Sequence, residues 1–273
     1  MHTTIINDCY DDNAKGRQIV KLSSLIRASV SFVGVKDDLE AAGNLVDILD
    51  AYEECPGIVL VNVAPRGRNE DSDSNGSPFG YFYYGRTLVV ASIEGRTLEL
   101  VKKLELVNKI FVLKMPEILA AWESDGRITR SDHLGLAETQ FRSLNFLPQA
   151  ARFLWQGQFL PSEEQLLTSF DADDGFVWWV DNFGNCKTTW LAEDLKLNPG
   201  DQIDIGLEKL TFYSRLKDVP RGQSALVEGS SGIKNSRFLE VVIQGGRADE
   251  RYGLRSGSSL EVKRETVGSK YDQ

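Results

Sequence analysis

Asp181, Phe183 and Asn185 stand in one short run, Asp181-Asn182-Phe183-Gly184-Asn185, directly after the β-like segment Gly175–Val180. A strand that delivers a carboxylate, a ring face and a carboxamide to one loop can hold a polar, planar ligand. The ring covers a flat face, and the amide reads donor and acceptor edges. The same residue types, Asn and Gly above all, also favour turns, so a plain strand end is the competing reading.

Other chemistry is sparse. Cys9, Cys55 and Cys186 are far apart and odd in number, which argues against a disulfide framework and a Cys-x-x-Cys metal site. Of the two histidines, His2 lies at the terminus, so a His-based metal centre or a Ser-His-Asp triad would rest on His133 alone. Ser131-Asp132-His133-Leu134-Gly135 reads instead as a loop or helix start, and no metal site is expected. The polar stretch Arg66–Ser77 has no aliphatic residue and lacks the EF-hand spacing, so it reads as a solvated loop. A net charge of −9 without a basic stripe argues against a nucleic-acid partner. No apolar run suits a membrane span, and the N-terminal residues do not read as a secretory signal. A cytoplasmic location is the resulting expectation.

Hydrophobic content of 41% and charged content of 26% over 273 residues suit one large or two medium domains. Two textures divide the chain. Residues 1–160 alternate strand-like and helix-like segments. Thr3–Asn7, Ser29–Val35, Gly57–Val63, Thr87–Ser92 and Lys109–Met115 read as strands. Lys15–Arg27, a segment from Asp37, Thr97–Leu104 and Phe146–Gln156 read as helices. The near-continuous apolar strand Gly57–Val63 suggests a sheet covered on both faces. The alternation predicts an α/β domain with a largely parallel sheet. Residues 161–273 carry short strands with turn signals at Asn198-Pro199-Gly200-Asp201 and Gly245-Gly246, which predicts an all-β sandwich or barrel.

Several stretches, in order, resemble the S-adenosylmethionine hydroxide adenosyltransferases and their fluorinase and chlorinase relatives. Asn7-Asp8-Cys9 after the first strand is similar to the family's Thr-Asp-Phe-Gly start. Asp11–Gly16 resembles the acidic opening of its first helix, and Asp38–Leu45 its second. Thr139–Ala151 keeps the register of its Thr-Phe-His-Gly-Arg-Asp-x-Phe-Ala-Pro-x-Ala-Ala. Asp181–Thr189 resembles its Phe-Gly-Asn element, and Phe238–Gly257 its C-terminal barrel.

The resemblance implies an α/β domain joined to a β-barrel, in a homotrimer with the adenosyl site shared between subunits. It implies that Asp8 binds the ribose diol; a helix cap is the alternative for that carboxylate. It implies that Asp181 holds the methionine ammonium, and that Phe183 and Asn185 contact the adenine. A backbone edge near Ala248 would read the adenine, and Ser230 or Ser231 would take the carboxylate side.

The family's catalytic groups are missing. Its Val-Asp-Pro-Gly-Val-Gly is Val63-Ala64-Pro65-Arg66-Gly67-Arg68 here, so Ala64 replaces the Asp. Phe141 replaces the His, and Ser92-Ile93-Glu94-Gly95 replaces a Pro-Asp-Asn-Gly loop. A methyl group and a phenyl ring cannot take a proton or orient hydroxide. The halide pocket of the halogenating relatives is absent as well. Arg66, Arg68 and Ser143 remain as weak catalytic candidates. The expectation is a divergent adenosyltransferase or hydrolase that cleaves the C5′–S bond of S-adenosylmethionine. The alternative is a non-catalytic S-adenosylmethionine- or nucleoside-binding protein on the same fold.

Overall fold

The computed structural model describes residues 1–53, 55–64, 77–167, 175–206 and 208–263. The chain forms two compact units, Met1–Phe170 and Asp171–Gln273.

The first unit opens with β1 (His2–Asn7), α1 (Asp12–Ile26), β2 (Ser29–Gly34), α2 (Asp38–Tyr52) and β3 (Gly57–Asn62). It continues with β4 (Phe79–Tyr84), β5 (Thr87–Ser92), α3 (Glu99–Lys103), β6 (Lys109–Leu113), α4 (Met115–Ser124) and α5 (Arg130–Glu138). The last elements are α6 (Arg142–Asn145), α7 (Leu147–Trp155) and β7 (Ser162–Leu166). One seven-stranded sheet runs in the order β2-β1-β3-β5-β4-β6-β7. Strands β2, β1, β3 and β5 are parallel, whereas β4, β6 and β7 each pair antiparallel.

The sheet is therefore mixed, which corrects the largely parallel sheet expected from sequence. The physical reason is the connection Gly85-Arg86. With Tyr84 paired to Thr87, the turn is too short for a crossover, so β4 and β5 must form a hairpin. Gly85 takes the left-handed φ of 55° that such a turn uses. Strand β7, read from sequence as part of the change in texture, pairs with β6 and extends the first unit beyond residue 160.

Both faces of the central strands are buried. On one face Ile5, Ile58, Leu60, Leu88 and Val90 pack with Leu22 of α1, with Trp122, and with Phe146, Ala150 and Leu154 on and beside α7. On the other, Val59, Val61 and Val89 are buried, as are Leu39, Leu45, Val46 and Leu49 of α2. The start of α2 follows its sequence signal, whereas α1 begins at Asp12, three residues before the Lys15 read from sequence. Asp11 caps α1 by accepting from the N–H groups of Asn13 and Ala14, and Asp37 caps α2 by accepting from Glu40. His133 lies in α5, whose start is a capping box between Thr129 and Asp132, and its Nδ1 is 2.5 Å from Glu123 Oε2. It is a helix-surface residue paired to a neighbouring helix.

The second unit has β8 (Gly175–Val180), β9 (Cys186–Leu191), β10 (Gln202–Asp204), β11 (Lys209–Tyr213), β12 (Ser224–Ile233), β13 (Ser236–Ile243), α8 (Ala248–Tyr252) and β14 (Ser259–Leu260). Its sheet order is β10-β11-β12-β13-β9-β8-β14. The sheet curls, so that Lys263, just past β14, bridges to Asp204 of β10 at the far edge. Val177, Trp190, Leu210, Phe212, Leu226, Leu239 and Val241 fill its inside. Apart from short helices the unit is all-β, as expected, and takes the form of one curled sheet. No helix among the described residues is long and apolar enough to cross a membrane.

Candidate functional site

The topology of the first sheet places one edge for binding. From β1 the chain moves outward to β2, then back across β1 to β3, so the winding reverses between β1 and β3. At such a reversal the two flanking connections leave in opposite directions and open a crevice beyond the carboxyl ends of the strands. Asp8 is the first residue past the end of β1, at this point. Its N–H donates to the carbonyl of Asn62 on β3 at 3.3 Å, and its Oδ2 accepts from the N–H of Ala64 at 3.1 Å. Among the described residues Oδ1 has no partner.

The loop that carries Asp8 is held from below. Buried Asn7 donates from Nδ2 to Gln18 Oε1 at 2.8 Å and accepts from the N–H of Cys9 at 2.8 Å. Gln18 donates in turn to the Cys9 carbonyl at 3.3 Å. The helix cap is Asp11, so the capping alternative for Asp8 falls away. Asp8 lines an open cavity of about 720 Å³ with Cys9, Tyr10, Asp11, Asp12 and Lys36. A half-buried carboxylate with one oxygen fixed and one available suits a vicinal diol, which offers two adjacent donors.

Ser143, on α6, lines a small cavity with Asn7, Gln18 and Asn62. It thus meets the same strand ends as Asp8. Phe141, the residue before α6, is 63% exposed. Arg66 and Arg68 lie outside the described residues.

In the second unit the Asp181–Asn185 run forms the connection between β8 and β9, and the Asp181 side chain bonds within it. Asp181 Oδ1 accepts from the N–H groups of Phe183 at 2.8 Å and Asn185 at 2.9 Å, and Oδ2 accepts from Asn185 Nδ2 at 2.9 Å. The turn is closed by Asp181 N–H to the Asn185 carbonyl at 3.0 Å and Gly184 N–H to the Asp181 carbonyl at 3.1 Å. Gly184 has φ 81°, and a Cβ there would collide with Asp249 and with Arg247. Its carbonyl accepts from the N–H groups of both Ala248 and Asp249 at 3.1 Å, which ties the loop to the start of α8. The turn reading of this run is therefore correct as geometry, and both oxygens of Asp181 are engaged in it. The Asn185 carboxamide is partly consumed, and the Ala248 N–H is already paired. Phe183 is 75% exposed, so its ring is presented outward from the run.

Asp181→Asn tests this directly. The amide can still accept from the two backbone N–H groups, but its own NH₂ would face Asn185 Nδ2. A loss of about 1.5–3 kcal/mol in urea unfolding is expected, the range for a bond to a charged group. Adenosine and S-adenosylmethionine should weaken together. Loss of S-adenosylmethionine alone would restore the ammonium role.

Ser230 and Ser231 separate. Ser230 is exposed and gives its carbonyl to Arg237 at 3.1 Å. Ser231 is buried, and its hydroxyl is bonded by the Lys187 ammonium, which also lies 4.0 Å from Glu240 and 5.6 Å from the Trp178 ring. Both residues lie where the register of β12 shifts, between Glu228 and Gly232.

Cys186, at the start of β9, is fully buried. Burial, and then the charges of Asp249, Asp181 and Glu240, push its thiol up to about 12. The thiolate is the reactive form. In the folded protein at pH 8, a thiol reagent should therefore modify the exposed Cys9 and Cys55 and spare Cys186 until denaturant is added. Modification of all three without denaturant, counted by intact mass, would contradict the burial. No group of three or more metal-ligating side chains occurs among the described residues.

Comparison with known proteins gives the site a context. Residues 175–261 match the model of the SAM hydroxide adenosyltransferase C-terminal domain. The fold is similar to that of an uncharacterized conserved protein from Thermotoga maritima, at TM-score 0.68 and 17% identity over 96% of this chain and 100% of the other. It is also similar to a conserved hypothetical protein from Thermus thermophilus, at TM-score 0.57 and 19% identity over 96% and 99%. These likenesses concern fold. No curated protein sequence matches the chain.

Proposed function

Proceeding from a chain that is a divergent relative of the SAM hydroxide adenosyltransferases, with their C-terminal domain at residues 175–261, we propose that it binds S-adenosylmethionine and slowly cleaves the C5′–S bond with water. The observation that carries this reading is Asp8, at the winding reversal of the sheet with one carboxylate oxygen available. Asp8 would hold the ribose diol. Water attacks C5′, the C5′–S electron pair returns to sulfur as the thioether of methionine, and the water proton passes to solvent. A sulfonium leaving group needs no acid, so alignment and desolvation of the water are the main requirements.

Ala64 and Phe141 favour a second reading, binding without turnover, because neither can orient a nucleophile. One experiment separates the two. The protein is incubated with S-adenosylmethionine, adenosine and methionine are followed by chromatography, and binding is measured by calorimetry. Stoichiometric product release over time supports cleavage. Binding without products supports the second reading, and no binding of S-adenosylmethionine or adenosine removes both.

The same reading expects a homotrimer of about 90 kDa, three times the 30.5 kDa chain. Light scattering at micromolar concentration checks it, and a monomer would contradict it.

A further inference from the structure

A second pocket opens on the first unit, on the same edge of the sheet as Asp8. Strands β5 and β6 run in one direction because both pair antiparallel with β4. Their carboxyl ends and the start of β4 therefore share the edge that carries Asp8. The pocket has a volume of about 560 Å³, with Phe79, Leu113, Met115 and Phe146 as apolar lining and Arg142 and Glu94 in its wall. The rings of Phe79 and Phe146 stack with centroids 6.3 Å apart.

Arg142 is fixed at two points. Its guanidinium lies 5.5 Å above the Phe79 ring, and Nη2 donates to the Ser77 carbonyl at 2.6 Å. Its other N–H groups have no hydrogen-bond partner among the described residues. Burial lowers its pKa, and the Glu94 charge works in the opposite direction. The two charges thus interact, yet among the described residues they form no ion pair within 4.0 Å. Lys114, another cation of the pocket, lies 3.5 Å from Glu163 and 4.0 Å from Glu117 and is already balanced.

What remains is one cation and one carboxylate in the wall of a single pocket, more than 4.0 Å apart. A simple anion would gain from Arg142 and be repelled by Glu94, and a simple cation would meet the reverse. A zwitterion gains from both. A guanidinium matches a carboxylate bidentately, and an ammonium supplies donors to a carboxylate.

We propose that this pocket binds an α-amino acid with an apolar side chain. The carboxylate sits on Arg142, the ammonium faces Glu94, and the side chain lies against Met115 and Pro116 in the apolar part of the wall. The proposal does not depend on cleavage of S-adenosylmethionine. Asp8 and Glu94 follow β1 and β5, which are separated in the sheet by β3 alone, about 10 Å at two strand spacings. The two pockets are thus neighbours along one edge, and their occupancy can be read separately.

The test is calorimetry of the full chain with L-methionine, with its deaminated analogue 4-(methylthio)butanoate and with its decarboxylated analogue 3-(methylthio)propylamine. L-Methionine should bind at least about 10-fold more tightly than either analogue, the lower end for a bond to a charged group. Arg142→Gln should weaken L-methionine by about 10-fold or more and leave the amine unchanged. Glu94→Gln should weaken L-methionine and leave the butanoate unchanged or tighter. Adenosine affinity should stay constant in both variants. If Arg142→Gln also loses adenosine because the unit unfolds, Glu94→Gln decides, since that side chain is exposed. No heat with millimolar L-methionine, or binding abolished by Asp181→Asn and untouched by Arg142→Gln and Glu94→Gln, would overturn the proposal. Loss of adenosine binding with L-methionine binding intact would sink the adenosyl reading and leave this one standing.

Discussion

Ala64→Asp combined with Phe141→His should raise adenosine formation from S-adenosylmethionine by about 10²–10⁴-fold, the contribution of a positioned acid or base. The present chain offers a methyl group and a ring at those positions. Neither substitution enters a core. Ala64 is exposed, and Phe141 is 63% exposed. The backbone N–H that Ala64 gives to Asp8 Oδ2 survives in the variant, because only the side chain changes. Fold and ribose site should therefore persist, and adenosine affinity serves as the control. A gain would show that the scaffold aligns the sulfonium and lacks only the chemistry. An unchanged rate with binding intact would mean the pocket serves another ligand or another nucleophile. Robust wild-type turnover that the double change abolishes would contradict the view of an impoverished site and direct attention to Arg66, Arg68 and Ser143.

Asp8→Asn should weaken adenosine binding by about 1.5–3 kcal/mol, or about 10–150-fold. The amide oxygen can keep the bond from the Ala64 N–H, so the loop should stay in place. What changes is the second oxygen, which becomes an NH₂ donor facing a diol that also needs acceptors. The comparison ligand is 2′,3′-dideoxyadenosine, which lacks both hydroxyls. Its affinity should be nearly the same in wild type and variant. Equal losses for the two ligands would show that Asp8 acts through the loop instead of through the ribose. Calorimetry on both ligands reads this without any assumption about turnover.

The contrast between Asp8 and Asp181 is instructive for how such sites are built. Both follow a strand, and both resemble family binding residues at sequence level. Asp8 sits above a network of Asn7, Gln18 and Cys9 that does the structural work for it, so its own carboxylate is left half free. Asp181 does that work itself, with Oδ1 on two backbone N–H groups and Oδ2 on Asn185. A charged group already holding three bonds has little left for an external ammonium, and recruiting it would cost the loop its closure.

Residue order alone determined the two textures, the strands β1, β2, β3, β5 and β6, and the acidic start of α2. Those signals are local: apolar periodicity, and acids at a helix start. The run Asp181–Asn185 was legible as both a turn and a ligand loop, because the same Asn and Gly serve either. Tertiary structure decided the rest, since each remaining question concerns which groups meet across the chain. The hairpin at Gly85-Arg86 was present in the sequence as a two-residue turn between aromatic and β-branched runs. Only strand pairing showed that it turns a parallel sheet into a mixed one. Arg142 sits beside Ser143 in the sequence and gave no signal there. Its importance comes from Phe79, Ser77 and Glu94, residues far away along the chain that the sheet edge brings to it. Which oxygen of Asp8 has no partner among the described residues, and that both oxygens of Asp181 have one, depends on hydrogen bonds between atoms whose positions no local pattern encodes.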